Sequence, residues 1–137
     1  MAATNAKFDW PSTGPDDPLH RPKHARALKR VRAVCLALPE AGEKISRGHT
    51  PIFTARGKNF AIVARTASRP SVWLAAPEGA QRVLTEAEPE RYYVPPYLGG
   101  RGWVGAWLDV AVQWGALEDL LREGHQIVVE KLASRRR

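Results

Sequence analysis

Apolar residues recur at helical spacing between positions 24 and 38, which predicts an amphipathic helix. At about 100° per residue, these side chains fall within about 120° of one another. They are Ala27, Leu28, Val31, Val34, Cys35 and Leu38. The opposite side carries the basic residues Arg26, Lys29 and Arg30. Pro39 ends the helix because proline cannot continue it. We expect one face of this helix to pack on the molecule and the other to meet solvent.

Short β-prone runs follow the helix and are separated by turn-forming residues. The runs cover residues 44–48, 51–56, 60–66 and 71–75. Residues 56–59, with the sequence Arg-Gly-Lys-Asn, form the tightest turn. The hairpin that this turn closes places Phe53 and Phe60 on one face. The pattern predicts an antiparallel meander.

The next segments predict a short helix and a further strand. Residues 77–87 begin with Pro77, and proline is favoured at the first position of a helix. Residues 92–108 combine a Pro-Pro corner, a glycine-rich turn and a strand. The residues expected to share one face of this strand are Trp103, Gly105 and Trp107. We interpret the glycines as positions where the backbone turns sharply and large aromatic side chains pack beside it.

The apolar positions between residues 114 and 132 predict a closing helix, with Gly124 as a potential break. A helix, a run of strands, a second helix, a strand and a last helix therefore follow one another along the chain. This order predicts the α+β class, with an antiparallel sheet packed by helices.

A length of 137 residues fits one domain. We expect an extended, Pro-rich arm at residues 1–22, an α+β domain at residues 23–133 and a basic tail at residues 134–137. The arm contains two large aromatic residues, Phe8 and Trp10. We expect them to pack against the same chain rather than against a partner.

The cysteine content and the hydropathy predict a cytoplasmic protein. Cys35 is the single cysteine, so no intramolecular disulfide can form, and the N-terminus has no apolar run typical of a signal peptide. No uncharged apolar stretch reaches the roughly 18 residues that a membrane span needs. We therefore expect no membrane partner.

The net charge of +7 favours a polyanionic partner, and its distribution is uneven. Residues 21–32 carry +6 and residues 135–137 carry +3, whereas residues 33–134 sum to zero. Within that neutral stretch, basic residues concentrate between positions 44 and 69 and acidic residues lie further along. The positive charge thus belongs to the first helix, the strand region after it and the tail.

The residues that could carry catalysis or bind a metal do not form a recognisable constellation. The histidines are His20, His24, His49 and His125, and they do not cluster. His20 and His24 have the i, i+4 spacing of a ligand pair on a helix, but Pro22 lies between them and we expect no helix there. Cys35 lies on the apolar face of the first helix, where a thiol behaves as a small hydrophobe. No nucleophile elbow, phosphate-binding loop or zinc-protease motif occurs. The sequence therefore predicts no cofactor, no metal and no catalytic residue.

Several motifs in a fixed order resemble those of a known family. They are Cys35-Leu36-Ala37-Leu38-Pro39-Glu40, Gly48-His49-Thr50-Pro51-Ile52-Phe53, Gly57-Lys58-Asn59-Phe60-Ala61, Pro96-Tyr97-Leu98-Gly99 and Gly102-Trp103-Val104, followed by the Leu-Leu pair at 120 and 121. On these motifs the chain resembles the MmcQ/YjbR-like family over about residues 26–133.

That resemblance implies a domain similar to the CyaY (frataxin-like) fold, an antiparallel sheet covered on one side by helices. It also implies DNA binding, with the family's basic hairpin position at Lys58 and its loop motif at Pro96, Tyr97, Leu98, Gly99 and Trp103. An iron function would need an acidic first helix, whereas the first helix here is basic.

Our leading hypothesis is a nucleic-acid-binding protein of low sequence specificity, which contacts phosphates of DNA or another nucleic acid. The residues expected to make these contacts are Arg26, Lys29, Arg30, Arg47, Arg56, Lys58, Tyr97 and Arg101. We expect a monomer or a weak homo-oligomer.

Two alternatives remain open. One is a small-molecule-binding protein or enzyme in which Tyr97, Arg101 and Trp103 form a pocket for an anionic or nucleotide ligand. The other is a protein-interaction domain that uses an exposed sheet face or the aromatic arm.

Overall fold

The computed structural model describes residues 22–46 and 50–135 of the chain. Residues 1–21 of the predicted arm, residues 47–49 and the last two arginines lie outside the described residues. Pro22, the last residue of the predicted arm, is the first residue of a helix. Three α-helices, six strands and one short 3-10 helix form in the described part. They are α1 (Pro22–Leu36), β1 (Ala41–Ser46), β2 (Thr50–Ala55), β3 (Lys58–Thr66), β4 (Arg69–Leu74), α2 (Ala80–Ala87), β5 (Tyr92–Tyr93), the 3-10 helix (Gly99–Arg101), β6 (Val104–Trp107) and α3 (Trp114–Arg135).

The six strands form one sheet in the order β1-β2-β3-β4-β6-β5, and every neighbouring pair is antiparallel. The first four strands are the predicted meander. Two-residue turns close the second and third hairpins. Arg56 and Gly57 have φ of 51° and 82°, and Ala67 and Ser68 have φ of 52° and 62°. Positive φ at both turn residues matches the strand twist, which explains why these hairpins are tight.

Helices α1 and α3 pack on one face of the sheet. Glu43 stands opposite Phe53 in the β1–β2 pair, and its carboxylate holds Arg32 of α1. Phe60 lies beside a bulge in the next pair, and its ring meets the ring of His125 from α3 edge-on at 5.3 Å. Phe53 and Phe60 are both fully buried and both face the helices. The prediction that they share one face of the sheet is therefore confirmed.

The other face of the sheet carries a cluster of polar aromatic side chains. The indole N–H of Trp73 donates to the Tyr93 hydroxyl at 2.7 Å, and the Tyr93 ring stacks on Trp107 at 4.1 Å. Burial of the Tyr93 hydroxyl raises its pKa, although hydrogen bonds from its neighbours act in the opposite direction. Gly105 is required here, because a Cβ atom would lie 2.4 Å from the Tyr93 ring. The predicted role of this glycine, close approach of an aromatic, is confirmed.

An ion pair closes the edge of this cluster. The Arg69 guanidinium makes two hydrogen bonds of 2.8 Å to Asp109 and lies 3.8 Å from the centre of the Trp107 ring. Burial alone would raise the pKa of Asp109, but the hydrogen bonds and charge of Arg69 outweigh it and lower that pKa. Arg69 is therefore a compensated charge with a fixed position.

Several predicted element boundaries were wrong. Helix α3 runs unbroken through Gly124, because this glycine lets the helix approach the sheet; a Cβ atom there would lie 2.6 Å from the Ala75 carbonyl oxygen. Helix α2 begins at Ala80 and not at Pro77, since Gly79 before it has φ of 86°. Trp103 precedes strand β6, and the two-residue strand β5 was not predicted.

Candidate functional site

A cavity of about 300 Å³ opens where the β2–β3 hairpin, the loop around the 3-10 helix and the C-terminal half of α3 meet. Its apolar wall consists of Ile62, Ala75, Leu98, Trp103, Ile127, Val128 and Leu132. Its cations are Lys44, Lys58, Arg101, Lys131 and Arg135. We call this site, with both sets of residues and Asn59, the basic cavity.

The five cations of the basic cavity are exposed, and no carboxylate lines it among the described residues. None of the five takes part in an ion pair within the described part of the chain. Like charges around one concavity raise its positive potential, and low-dielectric walls concentrate the field. The site is therefore suited to an anion.

Local backbone features fix the cations on one side of the cavity. Lys58 is the first residue after the tight turn that closes the β2–β3 hairpin. Arg101 ends the 3-10 helix, and Gly102 follows with φ of 80°. The Gln81 amide of α2 donates to the backbone oxygens of Gly99 and Trp103 at 2.8 and 2.7 Å. This loop is therefore anchored on both sides of Arg101.

The remaining cations of the cavity come from β1 and α3. Lys44 lies in β1, opposite Ile52 of β2. Lys131 and Arg135 stand four residues apart and so share one face of α3 with Val128, which is buried. These three residues were not among the predicted contacts. The spacing of residues 128, 131, 132 and 135 on one helix is a signal that could have found the last two.

A second concave surface lies beside α1. It measures about 350 Å³ and is lined by Arg26, Ala27, Arg30, Leu108, Val110, Val112 and Trp114. We call it the helix groove. The Arg30 guanidinium contacts the Glu118 carboxylate at 3.1 Å and lies 4.7 Å from the centre of the Trp114 ring. A carboxylate therefore already compensates Arg30 in this groove.

The structure separates the predicted nucleic-acid contacts into groups. Lys58 and Arg101 meet in the basic cavity, while Arg26 and Lys29 are exposed on α1 without an ion pair in the described part of the chain. Arg30 is paired as described above, and Arg56 pairs with Glu40 at 2.8 Å. Tyr97 is 79% exposed, with φ of 67°, and does not line the cavity. Arg47 lies outside the described residues.

The polar side chains that line the cavity are cations and one amide. The described lining has lysine, arginine and asparagine, and no serine, cysteine, histidine or carboxylate. Cys35 is fully buried and does not line the cavity, and burial raises the pKa of its thiol to about 12. The thiol therefore stays protonated at neutral pH.

Both histidines in the described part of the chain are buried. His24 is buried, and His125 is buried with its Nε2 atom 2.7 Å from the Pro39 carbonyl oxygen. His20 and His49 lie outside the described residues. In the described ranges, no three His, Cys, Asp or Glu side chains are grouped so that they could hold a metal ion. Nor does any helix described here have the length and apolar character to cross a membrane.

Comparison with known proteins gives a family and a structural neighbour. A family model described as YjbR matches residues 36–127. The crystal structure of the Deinococcus radiodurans protein DR2400, a DUF419 domain, is similar to this chain with a TM-score of 0.66 and 24% identity over 76% of this chain and 79% of that one. No curated protein matches the chain significantly. Three of the five cavity cations fall inside the matched range, and Lys131 and Arg135 lie beyond it.

Proposed function

This chain belongs to the YjbR family, and we propose that it binds nucleic acid with low sequence specificity and holds phosphate groups in the basic cavity. The supporting observation is that five exposed cations, from separate parts of the chain, surround one concavity, and that no carboxylate lines it among the described residues. Lysine and arginine at such a surface neutralise phosphates and release condensed counterions, whatever the base sequence.

The residues of the cavity have different roles in this proposal. The guanidinium groups of Arg101 and Arg135 can each donate two parallel hydrogen bonds to one phosphate. Lys44, Lys58 and Lys131 have flexible side chains and act as point charges for further phosphates of the nucleic acid. The anchored loop around Arg101 fixes one phosphate position, and the other cations follow the backbone from there.

The predicted contacts outside the cavity contribute less. Glu118 and Glu40 already compensate Arg30 and Arg56, so a phosphate has to compete with a carboxylate for each of them. Arg26 and Lys29 add positive charge on α1 and so assist the approach of the polyanion. We also propose a cytoplasmic location, which is compatible with a single thiol that is free.

A second candidate function is the binding of a small anionic molecule. The shape of the site favours it, because a volume of about 300 Å³ with apolar walls falls at the lower end of the range for small-molecule sites. A polyanion needs only a flat basic surface, so the apolar walls are not explained by phosphate binding alone. The two functions differ in their salt dependence, which is steep for a strand with many phosphates and shallow for a small ligand.

Fluorescence anisotropy of a labelled oligonucleotide at several salt concentrations tests the main proposal. Lys58→Ala and Arg101→Ala should each lower the slope of log affinity against log salt by about one unit, since each removes one neutralised phosphate. Arg82→Ala is the matched control, because Arg82 is an exposed arginine on α2, outside the basic cavity. Affinity no tighter than about 10⁻⁴ to 10⁻⁶ M at physiological salt, with all three variants alike, would rule out specific use of the cavity.

A further inference from the structure

We infer that the basic cavity receives one unpaired nucleotide, with its base against the apolar wall and its phosphate at the cations. This inference rests on the proposed function and extends it to a class of nucleic acid. Phosphates alone would need only the charged rim. The concave apolar wall behind the rim favours a ligand that also has an apolar part.

The apolar wall of the basic cavity can shield the apolar part of a ligand from water. Trp103 and Val128 are buried in the core, and Leu98 and Ile127 are half-buried at its surface. An apolar group placed against them removes further apolar surface from water, which is favourable. A base has apolar faces and can supply this contact, whereas sugar and phosphate cannot.

Asn59 supplies a means of contacting the edge of the base. It is half-buried in the cavity lining, and its side-chain amide makes no hydrogen bond within the described part of the chain. An amide offers a carbonyl acceptor and an NH₂ donor, which is the combination that base edges present in return. It is also the one neutral side chain in the described lining that can both donate and accept.

The geometry discriminates between forms of nucleic acid. In a duplex the faces of the bases are stacked and only their edges reach the grooves, so a base can enter a cavity only when it is unstacked. A single strand or a frayed end offers such a base without the cost of opening pairs. We therefore expect a preference for single strands over duplexes of the same sequence.

Three labelled probes of equal length test this inference: a single strand, its duplex, and a single strand whose bases are replaced by abasic sites. At salt high enough to suppress most of the phosphate contribution, the single strand should bind about tenfold more tightly than the other two, as expected for burial of one base. Equal binding of all three probes would overturn the inference and leave the proposed function intact.

Two variants locate the effect in the cavity. Ile127→Trp fills the cavity and should remove the advantage of the single strand over the abasic strand. Val83→Trp is the matched control on exposed α2, away from the cavity, and should keep it. Asn59→Ala, which leaves the wall unchanged, should reduce the same advantage. If Asn59→Ala and a correctly folded Ile127→Trp both retain the full preference, the base does not enter this cavity.

A free mononucleotide separates failure of the inference from failure of the proposed function. If the mononucleotide binds and no strand does, the cavity takes a nucleotide and nucleic-acid binding is wrong. If the strands bind and the mononucleotide competes only with the base-bearing strand, both proposals stand. If neither the strands nor the mononucleotide bind, both are wrong.

Discussion

The basic cavity and the helix groove are concave surfaces of similar size, about 300 and 350 Å³, whose charges are in different states. In the groove, Arg30 contacts Glu118 at 3.1 Å and lies over the ring of Trp114. In the cavity, five cations meet without a lining carboxylate in the described part of the chain. Residues of the same type therefore produce a partly compensated surface in one place and an uncompensated one in the other.

The difference shows why net charge alone does not locate a binding surface. The sequence concentrates positive charge on the first helix, yet two of the arginines there, Arg30 and Arg32, hold carboxylates. Residues 33–134, whose charges sum to zero, supply four of the five cavity cations, Lys44, Lys58, Arg101 and Lys131. Acidic residues of the same stretch are the ion-pair partners of other cations. A cation matters for binding when the fold leaves it without a carboxylate and beside other cations.

The largest expected effect concerns the tryptophans of the two surfaces. Trp103 is 6% exposed in the cavity wall, so Trp103→Ala should lower the free energy of unfolding by about 3–5 kcal/mol. The midpoint of thermal unfolding should fall by more than about 10 °C. Trp114 is half-buried in the groove, and Trp114→Ala should cost roughly half as much. Equal losses in calorimetry would show that the cavity wall is no better packed than the groove.

The next effect separates the cations of the two regions. Replacing both Lys58 and Arg101 with Ala should weaken binding of a single strand about 25-fold at 0.1 M salt, because two neutralised phosphates are lost and each contributes about 0.7 to the salt slope. Replacing both Arg26 and Lys29 with Ala removes the same charge from α1 and should weaken binding less than about fivefold. Anisotropy titrations at matched salt measure both. Equal losses would mean that only the total charge matters.

A smaller effect on affinity tests whether the ion pair between Arg30 and Glu118 keeps the helix groove from binding phosphate. Glu118→Gln removes the carboxylate that holds Arg30, whereas Arg122 keeps Asp119 as its nearer partner. Binding should strengthen by about threefold to tenfold as Arg30 becomes available. Glu86→Gln frees Arg82 on α2 in the same manner and serves as control, with no change in affinity expected. No gain from Glu118→Gln would show that the groove does not face the bound strand.

The smallest effect is expected for the reactivity of the Cys35 thiol, which lies on the buried side of α1. Burial raises the pKa of this thiol to about 12, so the native protein should not react measurably with a thiol reagent at pH 8. An unfolded thiol has a pKa of about 8.5 and should react at once in denaturant. The stability that comes from the raised pKa is complete below about pH 8.5 and decreases as the pH rises toward 12. Rapid labelling of the native protein would mean that α1 detaches from the sheet.

The local features of the fold were predictable because they depend on residues close together in sequence. The spacing of apolar residues identified α1 and the meander, and Arg56 with Gly57 identified the tightest turn. The packing role of Gly105 followed from its position beside large aromatics. The family motifs predicted the YjbR assignment, which the match over residues 36–127 confirms. Gly124 was misread, because its contact with Ala75 of a distant segment cannot be inferred from local pattern.

By itself, the sequence determined the fold class and the buried face of α1, and it singled out two of the five residues that prove to be cavity cations, Lys58 and Arg101. Only the tertiary structure decided which cations stand together and which are compensated. Glu118 is 88 residues from Arg30, and Lys44 and Arg135 reach the same cavity from opposite ends of the domain. Ion pairs and cavities depend on the register of the sheet and on the direction of α3. Packing between distant segments sets both, so neither can be inferred from periodicity along the chain.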